Sequence, residues 1–207
     1  VAVVADLRTH EGARTAIDAC VQTLGSVDIV VNNIGGTSES RPFHELPPEA
    51  IDATIGKSLL PMLYCSHAAL SHIVGRNFGR IVNVASEGAK VAMPGLATYN
   101  SCKAAVAWTR NVVYDLVGFD IRVNAVCPGV MVNGPDDLPL PRTPEGRATM
   151  EHCLRRVPLQ RGCLPEEVAA AVVFLASEAA SYIQGCALSV GGGMELQGGW
   201  TSAHRSA

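Results

Sequence analysis

The sequence predicts an α/β fold, a parallel sheet covered by helices, and three observations carry that expectation. Four short runs of branched apolar residues, at 1–5, 27–31, 80–84 and 121–126, read as strands buried on both faces. Between them, 11–24, 48–75 and 98–117 carry apolar residues three and four apart, the spacing of a helix that covers a sheet. Glycine is abundant (20 residues) while aromatics are only 5%, which suits helices packed closely on an open sheet. At 207 residues the chain is long enough for one sizeable core, expected over 1–197, with 198–207 as a disordered tail.

Taken in order, the run 1–5 is the first expected strand and ends at Asp6. Helix 11–24 leads to strand 27–31, which runs into Asn32-Asn33-Ile34-Gly35-Gly36. Glycine lets a ligand approach the backbone, and the Asn amides can tie the strand's end to its neighbour; an ordinary strand-to-loop turn has the same composition. One long helix is expected over 48–75, then strand 80–84 with Ser86 just beyond it, then a second long helix over 98–117 and strand 121–126. The stretch 128–147, with five prolines, suits either a substrate lid or a plain surface loop. A helix at 165–177 and a strand at 187–190 complete the alternation.

Composition excludes several roles. The net charge is -3 and the sixteen Lys and Arg residues are scattered, so the one-sided basic field of a nucleic-acid binder is missing. No apolar run approaches the roughly 20 residues of a membrane-spanning helix, and no charged lead-in marks a signal peptide. Seven cysteines without a CxxC pair indicate neither a disulfide framework nor a metal site. Reduced thiols in a cytoplasmic protein with no membrane partner are the expectation. His44 and His72 suit exposed positions without a catalytic duty, and Trp108 and Met62 suit the core.

The strongest chemical signal is Tyr99-Asn100-Ser101-Cys102-Lys103. Residues four apart share a helical face, so phenol and ammonium can enter one pocket. A nearby cation favours the ionised form of a phenol whose ordinary pKa is about 10, which makes Tyr99 a candidate base. By itself the spacing equally describes a half-buried aromatic beside a solvated lysine. Ser86, directly after a buried strand, adds a hydroxyl at the carboxyl edge where open α/β sheets place ligands.

Asn32-Asn33-Ile34-Gly35, Asn83-Val84-Ala85-Ser86, Tyr99 to Lys103, Arg122-Val123-Asn124, Pro128-Gly129 and Tyr182-Ile183-Gln184-Gly185 with Gly191-Gly192-Gly193 occur in this order along nearly the whole chain. Together they resemble the motif series of short-chain dehydrogenase/reductases. The resemblance implies a Rossmann-like doubly wound sheet and a secondary alcohol or ketone as small-molecule substrate. It also implies NAD or NADP as cofactor and a homodimer or homotetramer. Tyr99 would be the acid/base, Lys103 would hold the nicotinamide ribose, and Ser86 would hydrogen-bond the reacting oxygen. Asp6, Asn33 and Gly35 would line the adenosine side, with Pro128, Gly129, Met131 and Asn133 near the nicotinamide. Where the family has a helix asparagine that supports proton transfer, this sequence has Ser58, which is taken as its catalytic counterpart. Asn133 stands where threonine is usual.

The family opens with a strand, a glycine-rich phosphate loop and further βα units; this sequence starts at the position of the third strand. In the order 3-2-1-4-5-6 that start leaves the run 1–5 without neighbours, and a longer parent protein is expected. The Asn32 to Thr37 run, Arg41-Pro42-Phe43 and Ser58-Leu59-Leu60-Pro61 are most similar to dehydrogenases of aromatic cis-dihydrodiols, dihydroxycyclohexadiene carboxylates above all. Arg41 is the candidate carboxylate clamp for such a substrate, a bidentate pairing suited to guanidinium. Two rivals stay open: an NADPH-dependent ketone or acyl reductase, and a truncated non-catalytic remnant whose long helices serve as an assembly surface.

Overall fold

The computed structural model describes residues 1–132, 151, 153–155 and 157–196. Ten elements position the site: α1 (His10–Leu24), β1 (Ile29–Asn32), α2 (Pro48–Ser58), α3 (Leu60–Arg76), β2 (Phe78–Val84), α4 (Ala97–Lys103), α5 (Val106–Asp115), β3 (Asp120–Pro128), α6 (Pro165–Ala176) and β4 (Ala187–Val190). The four strands are all parallel and neighbour one another in chain order, β1-β2-β3-β4, with Val30 beside Ile81, Ile81 beside Val123, and Val126 beside Leu188.

Side chains alternate across a strand, so successive residues feed opposite faces. Ile81, Ile121 and Val123 join Ile17, Val27, Val30, Ala69, Ile73 and Val112 in a core under α1, α3 and α5. Val82 and Val126 point the other way, onto Val168 and Leu175 of α6. Helices therefore cover both faces, as the α/β expectation requires.

Three sequence expectations are corrected. Residues 1–5 form no strand, and Val1 and Val4 are exposed. A strand exists through its neighbour's hydrogen bonds, and none of the described residues pairs with this run. The helix expected over 48–75 is two helices that meet at Leu59. Pro61 stands in the first turn of α3, where its missing N–H costs nothing, whereas inside a continuous helix its ring would clash with the preceding turn. The helix expected over 98–117 is likewise divided: Ala105, Ala107 and Trp108 donate to carbonyls three residues back, an overwound turn between α4 and α5. Trp108 does pack against the core, while Met62 is only partly buried.

The amino ends of the strands are fastened by charge. Arg80, 1% exposed, donates to the carbonyls of Gly79 and Asp120 and, at 2.9 Å, to Glu178. Arg122 reaches Ser177 O at 2.8 Å and the same Glu178 carboxylate at 3.3 Å. At the carboxyl ends of β1 and β2 a neutral set of amides and hydroxyls links the strands to α3 and α5. Asn32 donates to Ser66 and Asn83, and Asn83 donates to Thr109, all at 2.8–2.9 Å. The amide expected to tie β1 to its neighbour does so.

Candidate active site

The carboxyl end of β2 runs into Ala85, whose N–H donates to Val126 O at 2.8 Å, and then into a 3-10 turn, Glu87–Ala89, capped by Ser86. Ser86 Oγ accepts from Gly88 N at 3.1 Å. The turn lies hard against α4: a Cβ at Gly88 would stand 2.2 Å from Asn100 Oδ1, so a larger residue there would displace the Asn100 side chain. Tyr99 and Lys103 occupy one face of α4 a turn apart, with Lys103 Nζ 5.9 Å from the centre of the Tyr99 ring. Ser86 and Tyr99 are close enough for their hydroxyls to interact, so the structure brings Ser86, Tyr99 and Lys103 together.

The electrostatics differ from the expectation that Lys103 brings Tyr99 toward neutral pH. Burial pushes the Tyr99 phenol above its ordinary value, and the Ser86 hydroxyl is what pulls it back. Burial also draws the Lys103 ammonium below its ordinary value, opposed by the Cys102 and Cys127 thiols. A low-dielectric site disfavours phenolate and ammonium alike when each is considered singly. Lys103 spends one of its three N–H donors on Val84 O, at 2.8 Å.

Lys103 also borders a cavity of about 20 Å³, enough for one water, together with Asn32, Ser58 and Asn83. Ser58 is buried, accepts from Gly36 N at 2.8 Å and donates to Gly36 O at 2.7 Å. Ser58 thereby anchors the glycine loop in this arrangement. A Cβ on Gly35 would lie 2.6 Å from Lys103 Nζ; glycine here keeps the loop within reach of the ammonium.

The remaining expected residues divide. Pro128 ends β3, Gly129 N donates to Val190 O at 3.1 Å, and Met131 bridges to Cys163, so these three form the lip beyond the sheet. Asn33 and Gly35 are exposed on the loop after β1. Asp6 lies on no strand and is exposed; the Arg8 guanidinium pairs with it at 2.8 Å and holds its carboxyl at about 2. Arg41 is exposed and pairs with Glu39 at 2.6 Å, while its backbone faces Gly95 on the loop before Tyr99. Asn133 lies outside the described residues, as does most of the expected lid.

Sequence reasoning passed over Glu87. It is fully buried beside Ser86 in a run that reads as a polar turn, and no sequence signal marks it as an interior residue. All seven cysteines are free, and among the described residues no cluster of three or more His, Cys, Asp or Glu side chains can hold a metal. No helix among the described residues is long and apolar enough to cross a membrane.

Comparison with known proteins agrees with this geometry. A short-chain dehydrogenase model described as "Enoyl-(Acyl carrier protein) reductase" matches residues 1–195. The chain is 36% identical to the 2-(R)-hydroxypropyl-CoM dehydrogenase of Xanthobacter autotrophicus over 193 residues, covering 92% of this chain and 76% of that protein. It is 33% identical to the 1,6-dihydroxycyclohexa-2,4-diene-1-carboxylate dehydrogenase of Acinetobacter baylyi over 204 residues, covering 93% and 76%. Its structure is similar to NAD+-bound xylitol dehydrogenase, with a TM-score of 0.82 at 26% identity over 92% of this chain and 78% of that one. It is also similar to a gluconate 5-dehydrogenase from Burkholderia cenocepacia in complex with NADP and tartrate, with a TM-score of 0.83 at 28% identity over 92% and 73%. A parallel sheet with helices on both faces, a Ser-Tyr-Lys group at its carboxyl edge and a family match along nearly the whole length converge: this chain belongs to the short-chain dehydrogenase/reductase family of oxidoreductases.

Proposed function

We propose that the site oxidises a secondary alcohol on an aromatic cis-dihydrodiol, a dihydroxycyclohexadiene carboxylate being the preferred substrate, with NAD or NADP as oxidant. The observation that supports it is the convergence of Ser86, Tyr99 and Lys103 on one edge of the sheet. Their setting suits a proton transfer coupled to hydride transfer. A nicotinamide cofactor, when bound, supplies the hydride acceptor. The donor set fits one: Lys103 keeps two N–H donors for ribose hydroxyls, and glycine at 35 brings the loop after β1 close to that ammonium. Lys103, Asn33, Gly35, Pro128, Gly129 and Met131 are the described residues that would hold it, and Asn133 belongs to the same group by sequence.

In this reading Ser86 donates a hydrogen bond to the substrate oxygen and fixes its distance from Tyr99. Tyr99 takes the hydroxyl proton as the carbon loses hydride, and the Lys103 ammonium stabilises the phenolate that carries out this step. The ring ketone then collapses to a catechol by losing a proton from the neighbouring carbinol carbon, or carbon dioxide where that neighbouring carbon carries a carboxylate. Arg41 serves as the carboxylate clamp, exchanging its Glu39 partner for the substrate's carboxylate.

The test is nicotinamide reduction by the purified protein with dihydrodiol carboxylates, neutral dihydrodiols and simple alcohols. Turnover with the carboxylated diols at the highest kcat/KM supports the reading. Equal turnover of all three classes rejects the substrate assignment, and an Arg41→Ala protein that keeps the wild-type preference for carboxylated diols rejects the clamp.

A further inference from the structure

Glu87 follows Ser86 directly and is 0% exposed, yet among the described residues neither carboxylate oxygen closes a well-formed hydrogen bond. A buried carboxylic acid without a close partner is costly, so its retention calls for a local reason. Its surroundings supply one. A Cβ on Gly191 would lie 2.7 Å from Glu87 Cγ and 2.8 Å from Cδ, so the side chain fills the space over the glycine turn after β4. A Cβ on Gly129 would in turn lie 2.9 Å from Gly191 Cα. Glu87 therefore abuts a stack that runs from the loop after β2, across the turn after β4, to the loop after β3.

Four polar groups face Glu87. Lys90, on the same turn, donates to Ala187 O at 3.0 Å, to Ser189 Oγ and to Glu195 at 2.8 Å. Cys127 of β3, Ser189 of β4 and Glu195 of the last turn complete the ring. Burial pushes the Glu87 carboxyl up; the Ser189 hydroxyl and the Lys90 ammonium oppose that, and the Glu195 carboxylate adds to it. The Cys127 thiol is pushed up to about 11 by the same burial.

We propose that Glu87 is a positioning residue for Ser86: together with Lys90, Ser189 and Glu195 it fastens the turn carrying the Ser86 hydroxyl to the glycine turn after β4, and so sets that hydroxyl against Tyr99. The proposal rests on the reading of Ser86 and Tyr99 as the reacting pair. It assigns Glu87 no contact with substrate.

The test compares Glu87→Ala with Glu87→Gln, which remove the same ionisable group but differ in filling the space. The first readout is the titration of Tyr99, followed by NMR of ring-labelled tyrosine and identified by its loss in Tyr99→Phe. A misplaced Ser86 can no longer hydrogen-bond the phenolate, so the Tyr99 midpoint in Glu87→Ala lies about one pH unit above that in Glu87→Gln. The second readout is turnover: kcat falls about tenfold in Glu87→Ala with KM little changed, and Glu87→Gln restores it.

Equal Tyr99 midpoints in the two variants overturn the proposal, as does a Glu87→Gln protein as slow as Glu87→Ala. Should Glu87→Ala fail to fold, Lys90→Met severs the same linkage from the solvent side. An unshifted Tyr99 midpoint in that variant also overturns the proposal. A wild-type protein without oxidoreductase activity rejects the reading of the site, whereas the titration still decides how Ser86 is held.

Discussion

The two ends of the sheet handle buried polar groups in opposite ways. At the amino ends Arg80 and Arg122 meet the Glu178 carboxylate, and Arg80 also meets Asp120, so charge is matched by charge. At the carboxyl ends Lys103 and Glu87 are buried and Tyr99 half-buried, without an ion-pair partner of their own among the described residues, and each is displaced from its ordinary pKa in the direction that disfavours its charge. The same strands carry both ends, so the contrast is one of purpose. One end is arranged for stability, while the other holds groups away from their comfortable ionisation states, as proton-transfer sites require.

Substitutions at either end can break or sharpen that comparison. Tyr99→Phe has the largest expected effect, a loss of about a thousandfold in kcat/KM with no loss of thermal stability. Retained turnover removes the carboxyl end's claim to chemistry. Lys103→Met follows, and here the two quantities move in opposite directions. Activity falls about a hundredfold, while the urea midpoint rises by the equivalent of about 1 kcal/mol because a buried, unmatched ammonium is gone. A destabilised Lys103→Met would show instead that Lys103 is a structural cation.

At the opposite end Arg80→Met lowers stability by about 3 kcal/mol in urea unfolding, with kcat unchanged in the protein that remains folded. The smallest effect is a pH dependence. The Arg80 and Arg122 guanidiniums hold the Glu178 carboxyl below its ordinary value. A depressed folded value gives stabilisation that is full above the unfolded carboxyl's pKa and disappears as pH falls through the folded one. Urea midpoints of wild type and Glu178→Gln therefore differ at about pH 7 and draw together as pH falls below the ordinary carboxyl range. A gap that stays constant as pH falls would mean that the charge of Glu178 is not what stabilises the fold.

Legibility in the sequence followed the same division. The two inner strands, β2 and β3, announced themselves, because a strand buried on both faces is mostly apolar, as Ile81 to Val84 and Val123 to Val126 are apart from Asn83 and Asn124. Tyr99, Lys103 and Ser86 stood out through the ordered motifs around them more than through their own spacing, which alone equally describes a half-buried aromatic beside a solvated lysine. The helix break at Leu59 was written in Pro61 but hidden by the continuous apolar spacing around it. The run 1–5 has strand composition and no strand, since pairing is a property of two segments and composition belongs to one. Glu87 was not legible at all. A carboxylate in a turn is ordinarily solvated, and only the packing of Gly191 against it shows that this one is enclosed.

That packing bears on which sequences can share this backbone. Residues 129 and 191 face one another across a gap too narrow for a β-carbon on Gly129, and Gly191 is separately crowded by Glu87. The three positions therefore do not vary independently. An alanine at 191 demands a shorter side chain at 87, and an alanine at 129 demands that the turn after β4 move away from β3. A redesign or directed-evolution library should mutate this trio jointly or leave it fixed, because single changes explore only strained intermediates.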